Sequence, residues 1–248
     1  MNTPLRTALV TGASRGIGLG VATRLARNGW GLSISARQPE RLADVAQTLK
    51  QAGSPQVLHH AVDLADEDAP ETLIQLHEDA FGAMNALILN AGVGTVGRAA
   101  DFPKNRLTKT LQVNLMSSIQ LTQQALPLLR KGAVADTQRG AYIVGLSSIT
   151  GVYADTGYSI YGASKAALLR YLEAVNQEES GAGVRATSLA PAYVSTDMTA
   201  WIADTVPLEA MIPVEDVVEV VDMLLRLSRA AGIGPIVMTR SGTTGFQA

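Results

Sequence analysis

Tyr161 and Lys165 stand four residues apart in the stretch IYGASKAALLRYL. Apolar residues recur there with helical periodicity, so both side chains project from one face of a helix. A free phenol has a pKa of about 10, too high for efficient proton exchange at neutral pH. An ammonium held beside it stabilises the phenolate and lowers that value. Of the six tyrosines, only Tyr161 is followed four residues later by a lysine. Ser147 and Ser148 lie upstream, where a strand is predicted to end, and a hydroxyl there can hydrogen-bond a substrate oxygen as charge develops on it.

A second cluster sits near the N-terminus. Thr11-Gly12-Ala13-Ser14-Arg15-Gly16-Ile17-Gly18 follows an apolar run and precedes an amphipathic one. Glycines in such a turn let the backbone bend sharply, and they let a pyrophosphate approach the free N–H groups at the positive end of a helix. Cofactor choice is read at the end of the next strand, where an acidic side chain would accept from a ribose 2′-OH and repel a 2′-phosphate. The residues there are Ala36 and Arg37, and the Arg37 fork suits phosphate, with Arg15 able to reach the same region. NADP(H) is therefore favoured over NAD(H).

These residues need a scaffold that brings strand ends together. Aliphatic, β-branched runs at 6–10, 31–36, 56–62, 86–90, 140–146, 184–190 and 235–239 predict buried strands. Helical spacing over 16–28, 39–52, 66–80, 106–131, 160–180 and 214–230 alternates with them. The alternation predicts an α/β fold of Rossmann type, a doubly wound parallel seven-stranded sheet with helices on both faces. One domain spanning 1–248 is expected at this length. The stretch 132–139 (GAVADTQR) reads as a loop.

Composition narrows the function. The formal charge of −2 gives no footprint for nucleic acid, and no apolar run is long enough to cross a bilayer. The N-terminal residues lack the pattern of a secretory signal, so a cytoplasmic location is expected. Zero cysteines exclude thiol catalysis and thiolate metal sites, and His59, His60 and His77 accompany no carboxylate-rich motif, so no metal is expected.

Taken in order, TGASRGIG, Asn90-Ala91-Gly92, Asn114, Ser148, Tyr161-x-x-x-Lys165 and Pro191 to Thr196 resemble the short-chain dehydrogenase/reductase family over nearly the whole chain. The resemblance, of the 3-oxoacyl-carrier-protein reductase-like type, implies hydride transfer between NADP(H) and a ketone or secondary alcohol. Tyr161 would be the proton donor, Ser148 the residue that orients the substrate oxygen, and Lys165 both tunes Tyr161 and binds the nicotinamide ribose. Gly151 would complete an S-x-x-G turn, and Asn114 would position a water in a proton relay.

Gly12, Ser14, Arg15, Gly16, Ile17 and Gly18 would hold the pyrophosphate, with Arg37 on the adenosine ribose. Asp63 and Leu64 would contact adenine, although Asp63 serves equally as a helix cap. Asn90, Ala91 and Gly92 would let the adenosine half approach backbone. Pro191, Ala192, Val194 and Thr196 would embrace the carboxamide, with Pro-Ala where the family usually has the more permissive Pro-Gly.

On the substrate side the candidates are Gly94, Val96, Ser148, Tyr153, Tyr158, Met198 and Trp201. The stretch 193–213 would form a lid, its Met198, Trp201, Ile202 and Met211 either covering a ligand or packing a short helix onto the body. The C-terminal GPIVMTRSGTTGFQA lacks the Gly-Gly common in related reductases. Family members pair the helices matching 106–131 and 160–180, which implies a homodimer or homotetramer. Two other functions stay open, an NAD-dependent alcohol or sugar dehydrogenase and a non-catalytic NADP(H) sensor.

Overall fold

The computed structural model describes residues 5–243. Seven strands, β1 Thr7–Thr11, β2 Gly31–Ala36, β3 Val57–Ala61, β4 Ala86–Leu89, β5 Ala141–Leu146, β6 Val184–Pro191 and β7 Ile236–Met238, form one sheet. They pair in parallel throughout, in the order β3-β2-β1-β4-β5-β6-β7. The order reverses between β1 and β4, and such a switch point opens a crevice at the carboxyl ends of the strands.

Helices α1 Gly16–Arg27, α2 Pro39–Gln51, α3 Ala69–Phe81, α4 Lys104–Leu111, α5 Ser117–Ala135, α6 Ser159–Glu179 and α7 Val214–Arg226 cover the sheet. Alternate strand residues feed two separate cores. Ala8, Val10, Ile34 and Ile88 pack towards α1, α2 and α7, while Leu9, Leu87 and Ile143 pack towards α3, α5 and α6. The continuous apolar runs are thus the signature of strands buried on both faces.

Three expectations need correction. The predicted helix 106–131 is broken by a π-helical turn, Gln112–Met116, between α4 and α5. The stretch 132–139 is not all loop, since α5 continues to Ala135. Gly132 belongs to that helix because its backbone lies directly on the chain before β4: a Cβ there would meet the Met84 carbonyl oxygen, and the Gly132 carbonyl accepts from Asn85 Nδ2 at 3.2 Å. Finally, α7 stops at Arg226, short of the predicted 230, and the carbonyls beyond it turn to Arg185.

Candidate active site

The glycine loop leaves β1 and enters α1 with Gly12 at φ 67° and Gly16 at φ 54°, conformations that other residues adopt only with strain. Asn90 pins the loop from the neighbouring strand, its Nδ2 donating to the Thr11 carbonyl at 2.9 Å and the Gly12 carbonyl at 3.1 Å. A Cβ on Gly12 would lie 2.8 Å from that Nδ2. No side chain caps α1 and no acidic residue stands in its first turn, so the positive helix end faces the crevice. This loop fits a dinucleotide pyrophosphate.

Gly12, Ser14, Arg15, Gly16, Ile17, Arg37, Asp63, Leu64, Asn90, Ala91, Gly92, Pro191, Ala192, Val194 and Thr196 all line one cleft. Gly18 is the exception. Its missing side chain makes room instead for Asn90 and the Gly12 carbonyl, so Gly18 is a packing residue. Asp63 caps no helix: it accepts from the Ala65 N–H at 3.0 Å, ahead of α3, and its carboxylate lies 3.7 Å from Lys109 Nζ. Pro191-Ala192 is accommodated without strain, because no residue other than glycine has a positive φ among the described residues. Arg15 pairs with Asp197 at 3.0 Å, joining the glycine loop to the segment after β6.

Farther along the same cleft lie Ser148, Tyr161 and Lys165. Ser148 opens a short 3-10 turn, Ile149–Gly151, directly after β5. Its Oγ accepts from the Thr150 N–H at 3.2 Å and the Thr150 hydroxyl at 3.0 Å. A hydroxyl has one proton and two lone pairs, so Ser148 is left to donate, and Tyr161 lines the same cleft beside it. Gly151 is held closely against α6, where a Cβ would meet the Ala166 amide at 2.8 Å. Ser147 also lines the cleft, and its hydroxyl donates to the Lys165 carbonyl at 2.8 Å, a bond that ties α6 to the end of β5.

Burial pushes the Tyr161 phenol up to about 12, with the Ser148 hydrogen bond acting in the opposite direction. Burial also pushes the Lys165 ammonium down to about 8. Lys165 Nζ donates to the Leu146 carbonyl at 2.7 Å and stands 5.7 Å from the centre of the Tyr161 ring. The side chains are neighbours, as their spacing predicts, and in the free chain burial sets the direction of both shifts.

Asn114 sits in the π-helical turn and is fully buried. Its Oδ1 accepts from the Val93 N–H at 2.8 Å, and its Nδ2 donates to the Val93 carbonyl at 3.1 Å and to Ser164 Oγ at 3.2 Å. The amide therefore ties the loop after β4 to α6 and does not itself line the cleft.

Gly94, Val96, Tyr158, Met198 and Trp201 line the outer part of the cleft, and Tyr153 does not: it packs against the core. The segment 193–213 leaves and rejoins itself through a parallel bridge between Val194 and Ile212, with Ser195 N–H donating to the Ile212 carbonyl at 2.9 Å. Met198 and Trp201 are exposed at the cleft, whereas Met211 is buried beneath, so covering and packing are divided among its residues. Thr150 and Tyr193 also line the cleft and were missed in the sequence. Thr150 follows a serine in a polar turn and carries no motif; Tyr193 falls inside the Pro191–Thr196 segment without a matching position.

A parallel sheet with a glycine loop and a Ser-Tyr-Lys constellation in one cleft defines a dinucleotide-dependent oxidoreductase site. The chain matches the short chain dehydrogenase family over residues 6–206 and belongs to it. It is 33% identical to sulfoacetaldehyde reductase 2 of Chromohalobacter salexigens over 86% of this chain and 85% of that protein. It is 32% identical to 2-(R)-hydroxypropyl-CoM dehydrogenase of Xanthobacter autotrophicus, over 80% and 78% of the two chains. A short chain dehydrogenase from Burkholderia cenocepacia, solved in complex with NADP, superposes with TM-score 0.84 at 27% identity, covering 96% of this chain and 98% of that one. No helix among the described residues is long and apolar enough to cross a membrane.

Proposed function

We propose that the protein is an NADP(H)-dependent carbonyl reductase that converts a ketone to a secondary alcohol, with the whole of 1–248 acting as one catalytic domain and 193–213 as its lid. The observation that carries this reading is the polarity of the hydroxyl chain. Thr150 donates twice to Ser148, which fills both acceptor positions of the serine oxygen and leaves its single proton to be given to Tyr161 or to a substrate oxygen in the cleft.

When bound, the reduced dinucleotide supplies the hydride. Gly12, Gly16 and the open end of α1 would hold its pyrophosphate, and Arg37 and Arg15 its 2′-phosphate. As negative charge develops on the substrate oxygen, Ser148 orients that oxygen and Tyr161 transfers its proton to it. The phenolate so formed is stabilised by the Lys165 ammonium. Alcohol oxidation runs through the same groups in reverse. Relatives named for sulfoacetaldehyde reduction and hydroxypropyl-CoM oxidation support chemistry at the carbonyl–alcohol level.

The test follows NADPH and NADH oxidation against a panel of aldehydes and ketones. Turnover with NADPH preferred, lost in Tyr161→Phe while dinucleotide binding persists, is the expected result. Tight NADPH binding without turnover across the panel would overturn the proposal in favour of a sensor, and a preference for NADH would overturn the cofactor assignment.

A further inference from the structure

The outer cleft has few polar groups. Gly94, Val96, Met198 and Trp201 present backbone or apolar surface, and Met198 Cγ lies 3.4 Å from where a Cβ on Gly94 would be. Among the polar side chains of the cleft, which include Thr95, Asp197 and Thr199, two hydroxyls stand together. Tyr158 and Tyr193 both line the cleft, and their hydroxyls are joined at 2.8 Å.

The pair is held from both sides. Tyr158 precedes α6 by one residue and shares a tilted ring contact with Tyr161, centroids 6.1 Å apart. Tyr193 follows β6, its carbonyl accepts from the Ile212 N–H at 2.9 Å, and the Arg240 guanidinium lies 5.7 Å from its ring centre. Neither ring sits on the part of the lid that carries Met198 and Trp201, so the pair's position does not depend on that part.

Two linked hydroxyls hold two protons, and one is consumed in the link. The other remains for a ligand. Burial and the neighbouring Tyr193 hold the Tyr158 phenol well above its ordinary value, so the Tyr158 hydroxyl keeps its proton as a donor. A buried donor rejects a ligand that offers it nothing, because binding then strips its water without replacement.

We infer that the Tyr158–Tyr193 hydroxyl pair is the specificity element of this cleft, and that it selects ketones carrying a second oxygen acceptor, such as a carbonyl, ester or hydroxyl, a few bonds from the reacting carbon. The inference rests on the carbonyl-reductase reading and narrows its substrate class. The short separation between Tyr158 and the proton donor Tyr161 sets the spacing between the two substrate oxygens. The apolar wall of Val96, Met198 and Trp201 receives the remaining carbon chain.

The experiment compares matched ketones of equal chain length, such as hexan-2-one against an acetoacetate ester and a hydroxyketone, with NADPH as donor. In the wild type, kcat/KM for the oxygenated compounds should exceed that for the plain ketone by at least about tenfold. Tyr158→Phe and Tyr193→Phe, made separately, should each cut that ratio about tenfold, mainly through KM. An intact ratio with a general loss of activity or of thermal stability would make the pair a structural clasp and overturn the inference. Equal wild-type turnover of plain and oxygenated ketones would overturn it without touching the reductase reading. No turnover of any ketone would instead remove the reading beneath it.

Discussion

Thr150 donates two hydrogen bonds to Ser148, one from its amide and one from its hydroxyl, at 3.2 and 3.0 Å. Both acceptor positions of the serine oxygen are thereby filled, and the serine proton has to point at Tyr161 or at a substrate oxygen. Replacing Thr150 with Val removes the hydroxyl donor and leaves Ser148 free to rotate and accept. The expected effect is a fall in kcat of about tenfold, since general acid transfer depends on alignment. Thr150→Ser should restore most of it. Steady-state kinetics with Val and Ser variants side by side check this; equal kcat for Thr150→Val and wild type would show that the serine orients itself.

Lys165 is a charge that the fold holds at a cost. Its folded pKa, about 8, lies below the ordinary lysine value of 10.5. Between those two pH values the unfolded chain binds more protons than the folded one, so stability rises with pH across that window. At pH 7 the folded state is penalised by up to about 3 kcal/mol. Lys165→Met should therefore raise the denaturation midpoint at pH 7 and flatten the rise between pH 8 and 10.5, while abolishing turnover. In the free wild-type enzyme, kcat/KM should decline above about pH 8 as the ammonium is lost. A methionine variant less stable than wild type at pH 7 would contradict this sign.

Sequence patterns revealed the parallel sheet because its strands are buried on both faces and read as unbroken apolar runs. They located the helices less well where one local contact decides the outcome. The π-helical turn around Asn114 follows from its bonds to Val93 and Ser164, residues distant in sequence. Gly132 reads as a turn residue but serves a helix lying against the Met84 backbone. In the site, Tyr161, Lys165 and the glycine loop carry fixed spacings and were legible. The hydroxyl of Tyr193 meets that of Tyr158, a partner that only the folded chain brings near, whereas Thr150 stands two residues from Ser148 but in a polar turn that carries no motif. The helix spacing of Tyr161 and Lys165 gave their proximity, but desolvation, which sets the direction of both pKa shifts, depends on the whole surrounding core.

His77 is fully buried on α3 beneath the sheet. Its ring meets Ser33 Oγ at 2.8 Å, the Ala83 carbonyl at 3.2 Å and Thr7 Oγ1 at 3.4 Å. Burial lowers its pKa from 6.5 to about 4. Below pH 6.5 the unfolded chain takes up a proton that the folded chain refuses, so the stability present at pH 7 is lost as pH falls towards 4. The loss should reach about 3 kcal/mol over that window. Urea melts at pH 7.5, 5.5 and 4.5 should show a smaller loss in His77→Gln than in wild type. Identical pH profiles would assign the acid sensitivity to other groups.

Arg185 stands at the start of β6, remote from the cleft, and is almost completely buried. No carboxylate among the described residues forms an ion pair with it. Its guanidinium donates instead to the carbonyls of Ser228 at 2.7 Å, Ala231 at 2.8 Å, Arg139 at 2.6 Å and Leu227 at 3.4 Å, and stacks 4.6 Å from the Tyr142 ring centre. One planar fork thus gathers the chain after α7 and the turn before β5, which an ammonium with its single nitrogen cannot span. Arg185→Leu leaves several carbonyls without donors in a dry environment and should cost about 3–5 kcal/mol. Arg185→Lys should recover only part of that loss. Because the contacts lie at the far end of the sheet, the folded fraction of each variant should keep a near-normal kcat; a large drop in kcat at unchanged stability would place Arg185 in the catalytic path instead.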